Sequence, residues 1–316
     1  MDFLKNSFRK MKLSVIIPTF NGENKILNLL YSLEKQTYKD FEVIIIIDGS
    51  TDNTKQILEK YLNNHKSIRI IEQNNQGRAV VRNNGVKYAN GDLLLFIDDD
   101  MVLVENCIYI HVEHHKNFPN SILTGVQCEN KIKCKTDFQS YKAYLSEKWN
   151  NVLKTLMGKP LPKENIFITA ANFSISKETF IKLDGFDERL KDIEDYDLAI
   201  RAFEKDIPLY FDFNAFAWHN EEITCLSYIN RQREYSKMYN KLLIMKPLLY
   251  SKHKIRNLSK LNGFKEVIII IFTFKFWIWS VDKFNWLIIL PKRLRYKIYD
   301  IIILANGVYY KNNKKD

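Results

Sequence analysis

Glycine and proline are scarce in this chain, at 10 and 7 of 316 residues. That scarcity excludes low-complexity linkers and an all-turn β architecture. Cysteine is sparse as well: the four stand at 107, 128, 134 and 225, with no C-x-x-C pair. A disulfide framework or a zinc knuckle is not expected; four reduced thiols of a cytosolic protein are. Residues 1–12, MDFLKNSFRKMK, contain no apolar run of the kind that marks a secretory signal. The expected location is therefore cytoplasmic.

Excess positive charge is missing from residues 1–220, which carry 29 basic against 30 acidic side chains. Residues 221–316 carry 19 against 7, a net of +12. Charge alone would admit a nucleic-acid binder. The basic third is also very apolar, and its aromatics sit in apolar runs, so no nucleic-acid partner is expected. An anionic membrane surface fits better.

What the chain does have is apolar material. Hydrophobic residues make up 46% and aromatics 13%, enough for a large core and too much for a disordered tail. Short apolar runs rich in β-branched residues predict strands over 12–17, 41–47, 68–71 and 92–97. Helical spacing fills the gaps, as at Ile26, Leu29, Leu30 and Leu33, then over 55–62 and 78–88. Continuous apolar strands alternating with helices predict an α/β fold, a mostly parallel sheet covered on both faces. Helices are also expected over 104–118, 135–157, 177–183 and 193–204, and a strand over 209–213. His111 and His115 are one helical turn apart, but no third ligand is near in sequence, so solvated or packed histidines are expected. The domains expected are a catalytic unit, 1–220, and a helical, apolar and basic extension, 221–316.

In such sheets ligands bind at the carboxyl ends of the strands. Three polar clusters follow strands directly: Thr19–Gly22, Asp48–Asp52 and Asp98–Asp100. If 98–100 is extended, Asp98 and Asp100 point one way and Asp99 the other. That pair of carboxylates suits Mg²⁺ or Mn²⁺ completed by phosphate oxygens and water. Asp48 can accept a pyrimidine N–H, and Asp52 can cap the next helix. Further on, Glu194-Asp195-Tyr196-Asp197 begins a helix whose dipole favours carboxylates. Arg201, four residues after Asp197, should pair with it, leaving Asp195 as the candidate general base.

The window 267–290 is long enough to span a membrane, but Lys275, Asp282 and Lys283 interrupt it. A helix lying in the interface, or a broken hairpin, keeps those charges wet. A buried helix pair and a true span are the alternatives.

The motifs SVIIPTFNG (14–22), IIIIDGSTDNT (44–54), QGRAVVRNNG (76–85), GDLLLFIDDDMV (91–102), GFDE (185–188) and EDYDLAIR (194–201) stand in one order and spacing. Together the chain resembles the family 2 glycosyltransferases, inverting enzymes of the GT-A fold, which implies a mixed, mostly parallel sheet. The resemblance covers about residues 12–220. It implies that Pro18, Thr19 and Asn21 line a nucleotide pocket, that Asp48 binds the base and that Arg78 borders the nucleotide. It implies that Asp98 and Asp100 hold the divalent metal against the diphosphate, with Asp99 also near the donor, and that Asp195 is the base. His219 falls where many members carry a metal-contacting histidine; a core histidine beside Trp218 is the other reading. Arg231 and Arg233 are candidates to reach the diphosphate.

Two positions depart from the pattern. Ile47 replaces a first acid, which weakens the case for uracil, and Val81-Arg82-Asn83 stands where Ala-Arg-Asn is usual. The implied partners are a nucleotide-sugar donor, expected to be UDP-linked, and a glycan or lipid-linked acceptor, with acceptor loops expected in 128–165 and 220–260. A sugar-phosphate nucleotidyltransferase and an inactive sugar- or membrane-binding module of the same fold remain alternatives.

Overall fold

The computed structural model describes residues 11–62, 68–253 and 263–309. Most of residues 1–12 and the end of the expected acceptor segment 220–260 lie outside them. The chain divides into two compact units, one formed by Met1–Glu129 with Ser146–Asn220, the other by Asn130–Leu145 with Glu221–Asp316. The second unit thus takes in Asn130–Leu145, which the sequence reading left in the first.

In the first unit the strands are β1 (Leu13–Thr19), β2 (Phe41–Asp48), β3 (Ile68–Gln73), β4 (Leu93–Ile97), β5 (Met101–Leu103), β6 (Ile122–Glu129), β7 (Asn172–Ser176) and β8 (Leu209–His219). The helices are α1 (Ile26–Glu34), α2 (Thr54–Leu62), α3 (Arg78–Tyr88), α4 (Cys107–Asn117), the end of α5 (Asp137–Lys154), α6 (Lys177–Lys182) and α7 (Glu194–Phe203). The strands form one eight-stranded sheet in the order β3-β2-β1-β4-β7-β6-β8-β5. The pairs β1–β2, β1–β4, β2–β3 and β6–β8 are parallel. The pairs β4–β7, β6–β7 and β5–β8 are antiparallel, so the sheet is mixed and mostly parallel.

Every residue of β4 is buried, because both faces are covered. On one face Leu13, Val15, Ile17, Leu95 and Ile97 join Ile26, Leu29 and Leu33 of α1 and Ile108 and Val112 of α4. On the other, Phe96 stacks on Phe173 with ring centroids 4.8 Å apart and meets Phe180 and Phe186. Of the three histidines of α4, His111 and His115 are buried and packed, one of the two readings the sequence left, and His114 is half-buried. His111 bonds Ser174 at 2.8 Å and Asn172 at 2.9 Å, and His115 bonds Ser174 at 2.8 Å.

The second unit contains the start of α5, then α8 (Cys225–Met245), α9 (Pro247–Tyr250), α10 (Phe264–Phe272), α11 (Lys275–Trp279) and α12 (Lys292–Ile303). Phe138 and Tyr141 of α5 pack with Ile229, Ile278, Tyr299 and Ile302, which explains why Asn130–Leu145 belongs here. Asp137 is bonded by Arg295 and Tyr299, each at 2.7 Å. The apolar stretch is broken into short pieces, and among the described residues no helix is long and apolar enough to cross a membrane. Asp282, expected to be a wet interruption, instead accepts the backbone N–H groups of Cys225 and Leu226 at 2.7 and 3.0 Å and caps α8.

One side of this stretch buries Ile269, Ile278 and Val281. The other leaves Phe276, Trp279, Phe284 and Trp286 exposed. These four form a chain of ring contacts, with centroids 4.3 Å (Trp279–Phe284), 4.7 Å (Phe284–Trp286) and 6.0 Å (Phe276–Trp286) apart.

Candidate active site at the carboxyl edge of the sheet

The register brings the polar clusters together. Thr19 lies opposite Ile47, and Ile16 lies opposite Phe96. The carboxyl ends of β1, β2 and β4 therefore share one edge. Asn172 at the start of antiparallel β7 faces Ile97, so the loop before β7 reaches the same edge. Glu129 and His219, the last residues of β6 and β8, face each other there too. Expected site residues from every part of the first unit thus converge by topology.

The first two loops are stitched to each other. Asn21 donates its N–H to Ser50 at 3.0 Å and accepts the Thr51 N–H at 2.9 Å. Asp52 accepts the Thr54 N–H at 3.0 Å, the capping role read from the sequence, and also the Glu23 N–H at 3.1 Å. Pro18 is half-buried at the end of β1. Asp48 is buried, and its carboxylate accepts the backbone N–H groups of Gln76 and Gly77, both at 2.9 Å, and the Gln73 amide at 2.8 Å. Asp48 therefore organises the turn that launches α3. Gly49, at φ 71°, lets that turn approach, since a Cβ would lie 2.6 Å from the Asn75 nitrogen.

The acidic triplet does not continue the strand. β4 ends at Ile97, and the Met101 N–H closes a turn on the Asp98 carbonyl at 3.2 Å. The alternation expected of an extended segment gives way to three acids that meet three different basic side chains. Asp98 accepts from Arg82 at 2.6 Å. Asp99 accepts from Thr19 at 2.6 Å and pairs with Lys25 at 2.9 Å. Asp100 lies 3.4 Å from His219 Nε2. Burial pushes the Asp99 carboxyl up to about 6 despite Lys25. Burial would raise Asp100 as well, but the contact with His219 outweighs it and holds Asp100 down at about 2.

Asp195 is half-buried in the first turn of α7. Its oxygens accept the Tyr196 N–H at 2.7 Å and the Ala170 N–H at 3.1 Å. Burial raises its pKa above the ordinary aspartate value in spite of those bonds. The preceding Glu194 is buried and pushed up to about 7, chiefly by burial, with Arg82 pulling the other way. Ile193 sits at φ 58°, a left-handed conformation that a β-branched residue adopts only under constraint. Asp197 pairs with Arg201 at 2.7 Å, as the four-residue spacing predicts.

Arg78 is exposed and lies 3.3 Å from Asp192. Arg231 and Arg233 belong to the second unit, where Arg231 pairs with Glu221 and Arg233 donates to the Asn306 carbonyl at 2.8 Å.

The residue that sequence reasoning passed over is Arg82. Its guanidinium is buried and donates to Glu194 and to Asp98, both at 2.6 Å. The available signal was a lone arginine on the apolar face of a predicted helix, among Ala79, Val81 and Val86.

Among the described residues, no three His, Cys, Asp or Glu side chains are grouped as a ready cation cage. Asp100 Oδ1 is buried without a hydrogen-bond partner beside His219, and Asp98 keeps 33% of its side chain exposed. Hard oxygen donors of this kind fit a divalent cation whose remaining ligands are water and phosphate.

A family model described as "Glycosyl transferase family 2" matches residues 14–184, more than half of the chain. An uncharacterized glycosyltransferase of Bacillus subtilis, YfnE, is 36% identical over 117 residues, 37% of this chain and 30% of its own length. Staphylococcus aureus TarS, a poly(ribitol-phosphate) beta-N-acetylglucosaminyltransferase, is 45% identical over 93 residues, 28% of this chain and 16% of its own. The aligned stretches thus span under a third of either relative. The crystal structure of TarS 1-349 with UDP-GlcNAc has a TM-score of 0.55 at 20% identity, covering 97% of this chain and 93% of that one. The mannosyltransferase PcManGT of Pyrobaculum calidifontis, in complex with GDP-Man and Mn2+, has a TM-score of 0.65 at 14% identity, covering 97% and 89%. The sheet and its flanking helices are of this GT-A type, and the chain belongs to glycosyl transferase family 2.

Proposed function

We propose that this chain is an inverting, divalent-cation-dependent transferase that moves a sugar from a nucleotide-diphospho-sugar to a hydroxyl of a glycan or lipid-linked acceptor. Asp195 is its general base. The observation that carries this reading is a half-buried carboxylate of raised pKa on the same sheet edge as Asp98 and Asp100. A base of raised pKa takes a proton more readily. The Ala170 and Tyr196 N–H groups fix the direction in which its remaining lone pairs face.

Asp98, Asp100 and His219 would hold Mn²⁺ or Mg²⁺, which when bound offsets charge on the leaving nucleoside diphosphate. Pro18, Thr19, Asn21, Asp48 and Arg78 surround the nucleotide, and Asp99 braces the loop from below. Asp195 takes the proton of the acceptor hydroxyl as that oxygen attacks the anomeric carbon opposite the leaving group. A single displacement inverts that carbon, and no nucleophile of the chain is needed. The UDP-GlcNAc held by TarS and the GDP-Man and Mn2+ held by PcManGT support a nucleotide sugar as donor. UDP-sugars come first because TarS is also a relative in sequence.

The second unit is proposed to sit on an anionic membrane surface at the cytoplasmic face. Exposed Trp and Phe rings settle at the headgroup boundary. Lys275, Lys283, Lys292 and Arg293 are exposed in the same stretch of the chain, within a segment of net charge +12. Attachment there would bring the enzyme to lipid-linked acceptors.

The test of the transferase reading is a donor panel of UDP-glucose, UDP-galactose, UDP-N-acetylglucosamine and GDP-mannose, incubated with Mn²⁺ and the full chain. Release of one nucleoside diphosphate supports the reading. No release from any donor, with or without oligosaccharide and lipid-phosphate acceptors, contradicts it.

A further inference from the structure

We infer that Arg82 is a positioning residue that couples the donor side of the site to its base, one guanidinium holding Asp98 and, through Glu194, the helix start that carries Asp195. The inference rests on Asp195 being the base and goes beyond it by assigning a role to a residue that faces neither substrate.

The geometry is two-pronged. Nη2 donates to Asp98 Oδ1 and Nη1 to Glu194 Oε1, both at 2.6 Å. The arginine side chain is 3% exposed and that of Glu194 4%. Only a planar fork delivers two donors at a fixed angle to two carboxylates on different elements, here the turn after β4 and the start of α7. A lysine reaches one of them as a point charge.

Burying one cation between two acids is costly, and an apolar packing of similar volume is often as stable. The cost is not fully met here, since Arg82 Nε and Glu194 Oε2 are both buried without a hydrogen-bond partner. A network kept in that state has a use other than stability. The use visible in the structure is to hold α7 in place. Ile193, in its strained conformation, immediately precedes Glu194. It is pinned by the Asp192 carboxylate, which accepts the Ile193 N–H at 2.9 Å, and by the Arg82–Glu194 pair. Asp195 follows directly.

The same charge acts on Asp195 through space. Burial raises the Asp195 pKa and Asp192 adds to the rise, while Arg82 and the Ala170 and Tyr196 N–H groups oppose it. Removing the Arg82 charge therefore raises the Asp195 pKa further. Replacing it by lysine keeps the charge and loses the fork.

The experiment uses the full chain as wild type, Arg82→Met, Arg82→Lys and Asp195→Asn. Two quantities are followed: the side-chain carboxyl ¹³C titration of Asp195, assigned by its absence in Asp195→Asn, and kcat with the donor that the wild type turns over fastest in the panel above. In Arg82→Met the titration should move up. In Arg82→Lys it should stay in place while kcat falls by about tenfold or more, because the helix start is no longer held in register. An unmoved titration in Arg82→Met, or full turnover in Arg82→Lys, overturns the inference. If thermal melting shows Arg82→Met unfolded, Arg82→Lys decides alone: lowered kcat with unmoved titration supports the inference, and full turnover overturns it. A wild type that turns over no donor, or an Asp195→Asn variant of normal kcat, contradicts the transferase reading. Wild-type turnover that depends on Asp195 together with an unmoved Arg82→Met titration contradicts this inference alone.

Discussion

Thr19 and Asp99, eighty residues apart in the chain, are joined by a 2.6 Å hydrogen bond. The bond ties the end of β1 to the turn after β4, and Lys25 completes the contact at 2.9 Å. Gly22 is required beside it, because a Cβ there would lie 2.3 Å from Thr19 Oγ1. The middle acid of the triplet is thus a brace. Asp99→Ala strips the Thr19 hydroxyl of its acceptor and leaves Lys25 unpaired. We expect a loss of about 1–3 kcal/mol of stability in urea unfolding, with kcat falling less than in the flanking variants. A kcat loss in Asp99→Ala as large as in Asp98→Ala would give Asp99 a direct part in turnover.

Asp98→Ala and Asp100→Ala should each lower turnover by about a hundredfold or more, the scale of one lost electrostatic stabiliser. Chelator should do the same to the wild type, and Mn²⁺ or Mg²⁺ should restore it. Undiminished nucleotide release in excess chelator would remove the cation from the mechanism.

The packed histidines of α4 give the first unit a pH dependence of its own. Burial depresses His111 and His114 from 6.5 to about 4 and His115 to about 3. The unfolded chain takes up protons at these sites from pH 6.5 downward, while the folded chain resists until about 4. Their contribution to stability is therefore present above pH 6.5 and is lost as the pH falls. We expect the stability difference between wild type and His115→Gln to shrink steadily from pH 6.5 to 4 in chemical unfolding. A constant difference would mean that His115 titrates normally in the fold.

Co-sedimentation with vesicles tests the second unit. The full chain should pellet with vesicles containing anionic lipid at low salt, and release should follow as salt screens the charges. Trp279→Ser with Trp286→Ser should weaken binding several-fold without changing nucleotide release. A full chain that stays in the supernatant would make the exposed rings a surface for something other than lipid.

Much of the first unit was legible because its strands are uniform apolar runs. LSVIIPT, FEVIIIID and LLLFI end within a residue or two of where the composition changes. β6 and β7 were not legible. ILTGVQCE and NFSIS mix polar and apolar residues: Asn172 and Ser174 bond buried partners rather than water, and Thr124 is buried with them. Asn172, for one, donates to the carbonyls of Val126 and Ala215 at 3.0 and 2.9 Å. β5 was too short to read, and although a mixed sheet was expected from the GT-A resemblance, without β7 the strand that carries the antiparallel pairing could not be placed. At the site, the acids announced themselves by position at strand ends. Arg82 did not, because its partners lie 16 and 112 residues away, and nothing local marks a buried cation. The triplet's geometry misled in a simple way: alternation holds in a strand, and this one had already turned at Asp98.

Asp195→Asn offers the most direct test of the proposed chemistry. The substitution keeps one acceptor oxygen, which can serve the Tyr196 N–H in the helix start, while the Ala170 N–H loses its acceptor; thermal melting of the variant checks that the fold holds. Affinity for the donor nucleotide with Mn²⁺ should stay within about twofold of wild type. Turnover at saturating donor should fall by about a hundredfold or more, the scale of a removed general base. In the wild type, kcat should decline toward acid pH along a limb above the ordinary aspartate range, since burial raises this carboxyl and the protonated form cannot take a proton. Lost affinity with normal turnover at saturation would make Asp195 a binding residue, and an unchanged kcat would take the base away from this position.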